Sequence, residues 1–156
     1  MSIKEITVEN ISQLKENALK KNEDNELFRR EKKLLKERDF LSQLRDSSHL
    51  FIETLMERAW MELQDCASKG FLKKKFYFAN FKEKFGPVRI STLVKGFHVR
   101  DTWDASIFEK IDKTTTPFLE AVNYLAQKGI TLKDVSDISK GTGFWLEVSF
   151  ENSKFS

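Results

Sequence analysis

The sequence predicts an α+β protein. It reads as an N-terminal helical arm and a long helix, then a small mixed or antiparallel sheet with a covering helix and a C-terminal hairpin. Three observations carry that expectation. Residues 1–69 contain neither Gly nor Pro, and all six glycines and both prolines come later. Gly and Pro punctuate turns, and their absence permits long helices. Apolar residues in the first half recur at helical spacing, as in Ile52, Met56 and Trp60 beside Leu55, Ala59 and Leu63. In the last segment Phe144, Leu146, Val148 and Phe150 instead alternate with Trp145, Glu147 and Ser149, the period of a half-buried strand.

Taken in order, residues 8–21 place Ile11, Leu14 and Ala18 on one helical side. Asn22 to Asn25 is either a polar break or a hydrated helical turn. Over 26–45, Leu27, Leu34 and Leu41 form one column, and Phe28 and Leu35 form the next. Glu31 and Arg38 lie between the columns, so the pattern is not a strict coiled-coil seam. Asp46, Ser47 and Ser48 are N-cap residue types and predict the start of a second helix, ended by Gly70. Its Ile52/Met56/Trp60 and Leu55/Ala59/Leu63 ladders predict a broad buried face, with Trp60, Phe78, Leu125 and Leu146 in one cluster. After a strand at 71–81, Gly86-Pro87 opens a helix running to Lys95, Gly96 closes it, and residues 97–100 form a short strand. Thr116-Pro117 supplies an N-cap and an N1 proline for a helix that Gly129 ends. The segments 130–139 and 143–150 then pair as a hairpin. The predicted division is an arm, 1–46, and a domain, 47–156.

Composition narrows the functional classes. Charged residues make up 33% of the chain, yet the net charge is only +3, too weak a field to imply nucleic acid by itself. One cysteine excludes an internal disulfide, and two distant histidines give no zinc-ligand spacing. There is no apolar run long enough to span a bilayer, and the N-terminus is polar. The expectation is a non-membrane protein of a reducing compartment, cytoplasmic, with no cofactor and no metal.

The stretch FLKKKFYFANF (71–81) has two readings. As KKFYFANF it resembles the octamer of RNA-recognition motifs, with Lys74, Phe76, Phe78 and Phe81 in the basic and stacking places. It departs from that octamer at Lys75 and Tyr77, where glycine is preferred, and a long helix precedes it instead of a strand-helix-strand unit. Read as a core strand, alternation puts Phe76 and Phe78 on one side with Leu72, and Tyr77, Ala79 and Phe81 on the other. Both sides being apolar predicts a central strand, with Lys73, Lys74 and Lys75 at its hydrated start. This is the reading adopted.

Chemistry-bearing residues are sparse. His98, Asp101 and Asp104 offer acid–base or metal groups, but nothing places them on one face and no Glu-x-Lys strand follows. Cys66 reads as a small core residue, His49 as part of a first helical turn, and the Gly141-Thr142-Gly143 run as a hairpin turn with no following helix. No enzymatic site is predicted.

Residues 125–150 resemble the terminal helix-Gly-strand-turn-strand of small proteins from bacteriophages and large DNA viruses. The matching features are Lys128-Gly129, the turn from Asp134 to Asp137 and the aromatic last strand, with Ser68-Lys69-Gly70 repeating the pattern earlier. The resemblance covers about half the chain and carries no catalytic residues. It implies a viral protein that works by binding, in a host cytoplasm or virion. The leading expectation is thus a non-enzymatic interaction or assembly protein. It would engage a protein partner or a homo-oligomer through Leu27, Phe28, Leu34, Leu35 and Leu41. The alternative is a nucleic-acid-binding accessory protein. It would use a basic stripe of Arg29, Arg30, Lys32, Lys33 and Lys36 together with Lys73, Lys74 and Lys75.

Overall fold

A computed structural model describes residues 6–98, 105–111 and 115–153. The protein is α+β, a long N-terminal helix followed by a small antiparallel sheet and short helices. It divides into two compact units, Met1–Phe40 and Leu41–Ser156.

Helix α1 runs unbroken from Val8 to Ser68. Asn22 to Asn25 is therefore a hydrated helical turn and not a break. The start predicted at Asp46 to Ser48 is also absent. Ser48 does not cap an end. Its hydroxyl donates to the Leu44 carbonyl one turn back, at 2.8 Å, so the side chain is accommodated within the helix. The helix stops at Gly70, whose φ of +84° suits a residue without Cβ. There the Phe71 N–H donates to the Cys66 carbonyl and the Gly70 N–H to the Ala67 carbonyl, the paired closure that satisfies terminal carbonyls.

The second unit is built around the later part of this helix. Strands β1 (Lys73–Asn80), β4 (Thr131–Asp134) and β5 (Gly143–Ser149) form a three-stranded antiparallel sheet in the order β1-β5-β4. Strands β2 (Lys84–Phe85) and β3 (Val88–Arg89) form a small hairpin that leads into α2 (Ile90–Lys95). Helices α3 (Ala105–Glu109) and α4 (Pro117–Gln127) follow. The Thr116 hydroxyl accepts from the Leu119 N–H, and Pro117 fills the first turn, as the sequence predicts. The hairpin of β4 and β5 is likewise as predicted.

Further expectations need correction. The 71–81 stretch is an edge strand, not a central one, because β5 takes the middle of the sheet. Its alternation also fails after Phe78. The β1–β5 register shifts between Tyr77 and Ala79, leaving Phe78 as an extra residue opposite no partner. Alternation holds as far as Phe78, with Tyr77 outward beside the buried Phe76, and the extra residue then turns Ala79 to the buried side, where Phe81 is buried as well. Residues 86–89 belong to the hairpin, so the helix predicted from Gly86 begins at Ile90. Phe97 and His98 are irregular, and the rest of the strand predicted at 97–100 lies outside the described residues. Finally, Trp60 is 56% exposed. The buried ladder of α1 is Phe51, Leu55, Ala59 and Leu63, and Trp60 lies one residue, about 100°, off that line.

The core centres on phenylalanine. Phe144 of β5 is fully buried, with the rings of Phe81, Phe118 and Phe78 at 5.1, 5.5 and 6.0 Å. Phe51 of α1 meets Phe78 and Phe85 edge-on, each at 5.7 Å. Leu125 and Leu146 are buried in the same cluster and Phe78 packs partly buried against it, as predicted for these three. The exposed edge of β1 is managed by Arg58 of α1. Its guanidinium donates to the Tyr77 carbonyl at 3.1 Å and lies 5.3 Å from the Phe76 ring centre.

Candidate interaction surfaces

In the first unit, helical periodicity and solvent exposure coincide. Leu27, Phe28, Leu34 and Leu35 are 57%, 65%, 59% and 58% exposed. Leu41, placed with them by the sequence, belongs to the second unit. There it is half-buried and lines a pocket of about 320 Å³ with Leu44 and Phe97. Glu31 and Arg38 are exposed, and neither makes an ion pair among the described residues. At about 100° per residue, both fall between the Leu27/Leu34 and Phe28/Leu35 columns.

Arg29, Arg30, Lys32, Lys33 and Lys36 are all exposed on the same helix. Arg29, Lys32, Lys33 and Lys36 point away from the Leu27/Leu34 column by their spacing. The lysines of β1 meet carboxylates of the second unit. Lys74 faces inward and its ammonium bridges two carboxylates of α1, Glu62 and Asp65, lying 2.6 Å from the latter. Hydrogen bonds to Asp65 and Glu62 hold the Lys74 amine above its ordinary pKa. The bond from Lys74 and a second from Lys69 hold the Asp65 carboxyl below its own. Burial pushes Glu62 up, but hydrogen bonds from Lys74 and Arg58 outweigh it and leave the group lowered. Lys73 lies 3.9 Å from Glu151, and Lys75 sits opposite Glu147 in the sheet register. Lys73 and Lys74 are thus drawn to carboxylates within the second unit, and Lys75 stands across the sheet from one.

Two features escaped the sequence reading. On the outer side of the sheet, Tyr77 and Trp145 pair across strands at 5.5 Å, both partly exposed. Gly143 makes room for them, since a Cβ there would stand 3.2 Å from the Tyr77 ring and 3.1 Å from the Trp145 indole nitrogen. Tyr77 is outward by simple alternation from the buried Phe76, and the sequence missed the exposed pair because it took both sides of the strand to be covered. The second feature is a pocket of about 480 Å³ on the β2–β3 hairpin and α2, lined by Lys84, Arg89, Lys95 and His98 with Ser91 and Phe97.

The groups considered for catalysis do not assemble among the described residues. His98 is exposed, and Asp101 and Asp104 lie outside the described residues. His49 is exposed along α1. Cys66 is buried and its thiol donates to the Leu63 carbonyl. Among the described residues no group of three or more His, Cys, Asp or Glu side chains could hold a metal ion, and no helix is long and apolar enough to cross a membrane. Compared with protein families, characterised proteins and solved structures, the chain matches none.

Proposed function

We propose that the protein is a non-enzymatic assembly protein whose N-terminal helix pairs antiparallel with the same helix of a second copy. The observation that carries this reading is the exposure of Leu27, Phe28, Leu34 and Leu35 along one side of α1. Full burial of a Leu or Phe side chain contributes about 1.5–3 kcal/mol, so leaving these on water forgoes a substantial gain. A helix that buries no apolar face is marginal in water, which favours a covering partner.

The charge order favours a second copy as that partner. Glu31 and Arg38 interrupt the apolar side with opposite signs and are equidistant from the midpoint between Leu34 and Leu35. Antiparallel pairing about that midpoint sets Glu31 of each copy against Arg38 of the other. It packs Leu34 against Leu35 between the two ion pairs and brings Phe28 to the position of Leu41. The contact is isologous, as a two-fold dimer requires. Charges that spoil a parallel seam become mutual partners in this one.

Light scattering after size exclusion tests the reading. The parent should run as a dimer, and E31R and R38E should each shift it towards monomer. The combined E31R/R38E chain should recover the dimer, because the swapped charges still face each other. A monomeric parent at high micromolar concentration would overturn self-assembly, and a double variant no better than either single one would overturn the register.

One observation supports a second reading, nucleic-acid binding. Arg29 and Lys36 make no ion pair among the described residues and lie about 80° or more from both apolar columns, so both surfaces can work on one helix.

A further inference from the structure

The β2–β3 hairpin carries an electrostatic arrangement that folding alone does not favour. Lys84 and Arg89 stand directly opposite each other in its two-stranded register. Like charges at directly opposed positions destabilise a strand pair. Both side chains are exposed, and neither has a carboxylate partner among the described residues. The hairpin has only two residue pairs, so no long ladder dilutes the repulsion.

The hairpin is also held rigid. Gly86 takes the positive-φ place of the two-residue turn at +66°, and Pro87 fixes the next position. Gly86 lies against Ser47 of α1, where an added Cβ would collide with the serine hydroxyl. Behind the hairpin, the Ile90 N–H donates to the Glu83 carbonyl and the Ser91 N–H to the Phe81 carbonyl, fixing α2 to the end of β1. Lys95 is held by the same frame, its ammonium 4.6 Å from the centre of the buried Phe81 ring. Lys84, Arg89 and Lys95 line one pocket of about 480 Å³, with His98 and the Ser91 residue beside them and no carboxylate among its described lining. That volume falls within the usual range for small-ligand sites.

We infer that this pocket binds a phosphate-bearing ligand, with Lys84, Arg89 and Lys95 as its cationic contacts. An oxyanion between Lys84 and Arg89 turns their repulsion into shared attraction. Arg supplies a planar fork for two phosphate oxygens, and the lysines supply point charges. The turn fixes the backbone that carries Lys84 and Arg89, and the ring under Lys95 reduces the ordering that this side chain needs on binding. The ligand is either a small polyphosphate or the backbone of a nucleic acid, which present the same chemistry.

The test uses the full-length chain with two probes, tripolyphosphate and a short single-stranded oligonucleotide. Tripolyphosphate at several times its dissociation constant should raise the parent's unfolding midpoint by about 3 °C or more. K84Q/R89Q should lose that rise, whereas R29Q/R30Q, altered on the distant stripe in sequence, should keep it. Without ligand, K84Q/R89Q should unfold at or above the parent's temperature, since it no longer carries the opposed charges, and the single variant K84Q serves the same comparison. No rise in the parent, an equal rise in K84Q/R89Q, or a clear drop in that variant's unliganded midpoint would overturn the site. The oligonucleotide identifies the source. At least about tenfold weaker binding by K84Q/R89Q assigns the pocket to a nucleic-acid backbone. Unchanged oligonucleotide binding with the tripolyphosphate rise lost assigns it to a small phosphate-bearing ligand. Loss of oligonucleotide binding in R29Q/R30Q with the rise retained keeps the pocket and gives nucleic acid to the helix stripe.

Discussion

Trp60 and Leu146 show how little the chemical type of a side chain fixes its energetic role. Trp60 is the larger and the more apolar in area, yet more than half of it meets water, whereas Leu146 is fully buried on the inner side of the central strand. Leu146→Ala should therefore cost about 2–5 kcal/mol in a urea titration, the range for opening a cavity in a packed core. Trp60→Ala should change stability by only about 0.5 kcal/mol, as befits an exposed helical position. Equal losses from the two would mean that α1 is rotated about its axis relative to the sheet. The sequence named Leu146, Leu125 and Phe78 for the cluster on the strength of their periodicities. It added Trp60 because the ladder Ile52/Met56/Trp60 is as regular as Leu55/Ala59/Leu63, and regularity alone does not say which edge of a broad apolar side is covered.

The link between α1 and β1 belongs to the scale of elements. Lys74, at the inward side of the strand start, joins Glu62 and Asp65 of the helix, and Arg58 reinforces the link by bonding Glu62 at 2.9 Å and the Tyr77 carbonyl. Both carboxyls are lowered in the folded state. The unfolded chain therefore takes up protons first as the solution is acidified. The stability contributed by this link is present above the ordinary carboxylate range, near pH 4, and is lost as pH falls through the lowered values. Glu62→Gln should flatten the fall in stability between about pH 5 and pH 3 relative to the parent, read from urea midpoints across that window. An unchanged slope would place the acid sensitivity elsewhere. Reading Lys73, Lys74 and Lys75 as a hydrated strand start was right for the outer pair in kind, but the inward turn of Lys74 follows from strand parity and a helix nine residues upstream.

For the whole molecule, every buried residue of the hydrophobic cluster lies between Phe51 and Val148, within the second unit. A chain beginning at Leu41 should keep a single cooperative urea transition while losing the self-association attributed to Leu27, Phe28, Leu34 and Leu35. Non-cooperative unfolding of the shortened chain would show that residues 1–40 complete the core. Unaltered association would move the interface to the second unit.

What the sequence determined by itself was the helical first half, the helix α4, the strands β1, β4 and β5, and most of their punctuation. Gly70, Thr116-Pro117 and Gly129 act through bonds and φ angles within a few residues, so consecutive letters suffice to place them. The alternation over β5 and the hairpin with β4 were legible for the same reason. The tertiary structure decided what depends on residues far apart in the chain. It put β5 between β1 and β4, inserted Phe78 as the extra residue that turns Ala79 inward, and carried α1 through Asp46 to Ser48 without a cap. Strand order and bulges arise from packing between distant segments, and a local pattern contains no record of which segment will lie alongside.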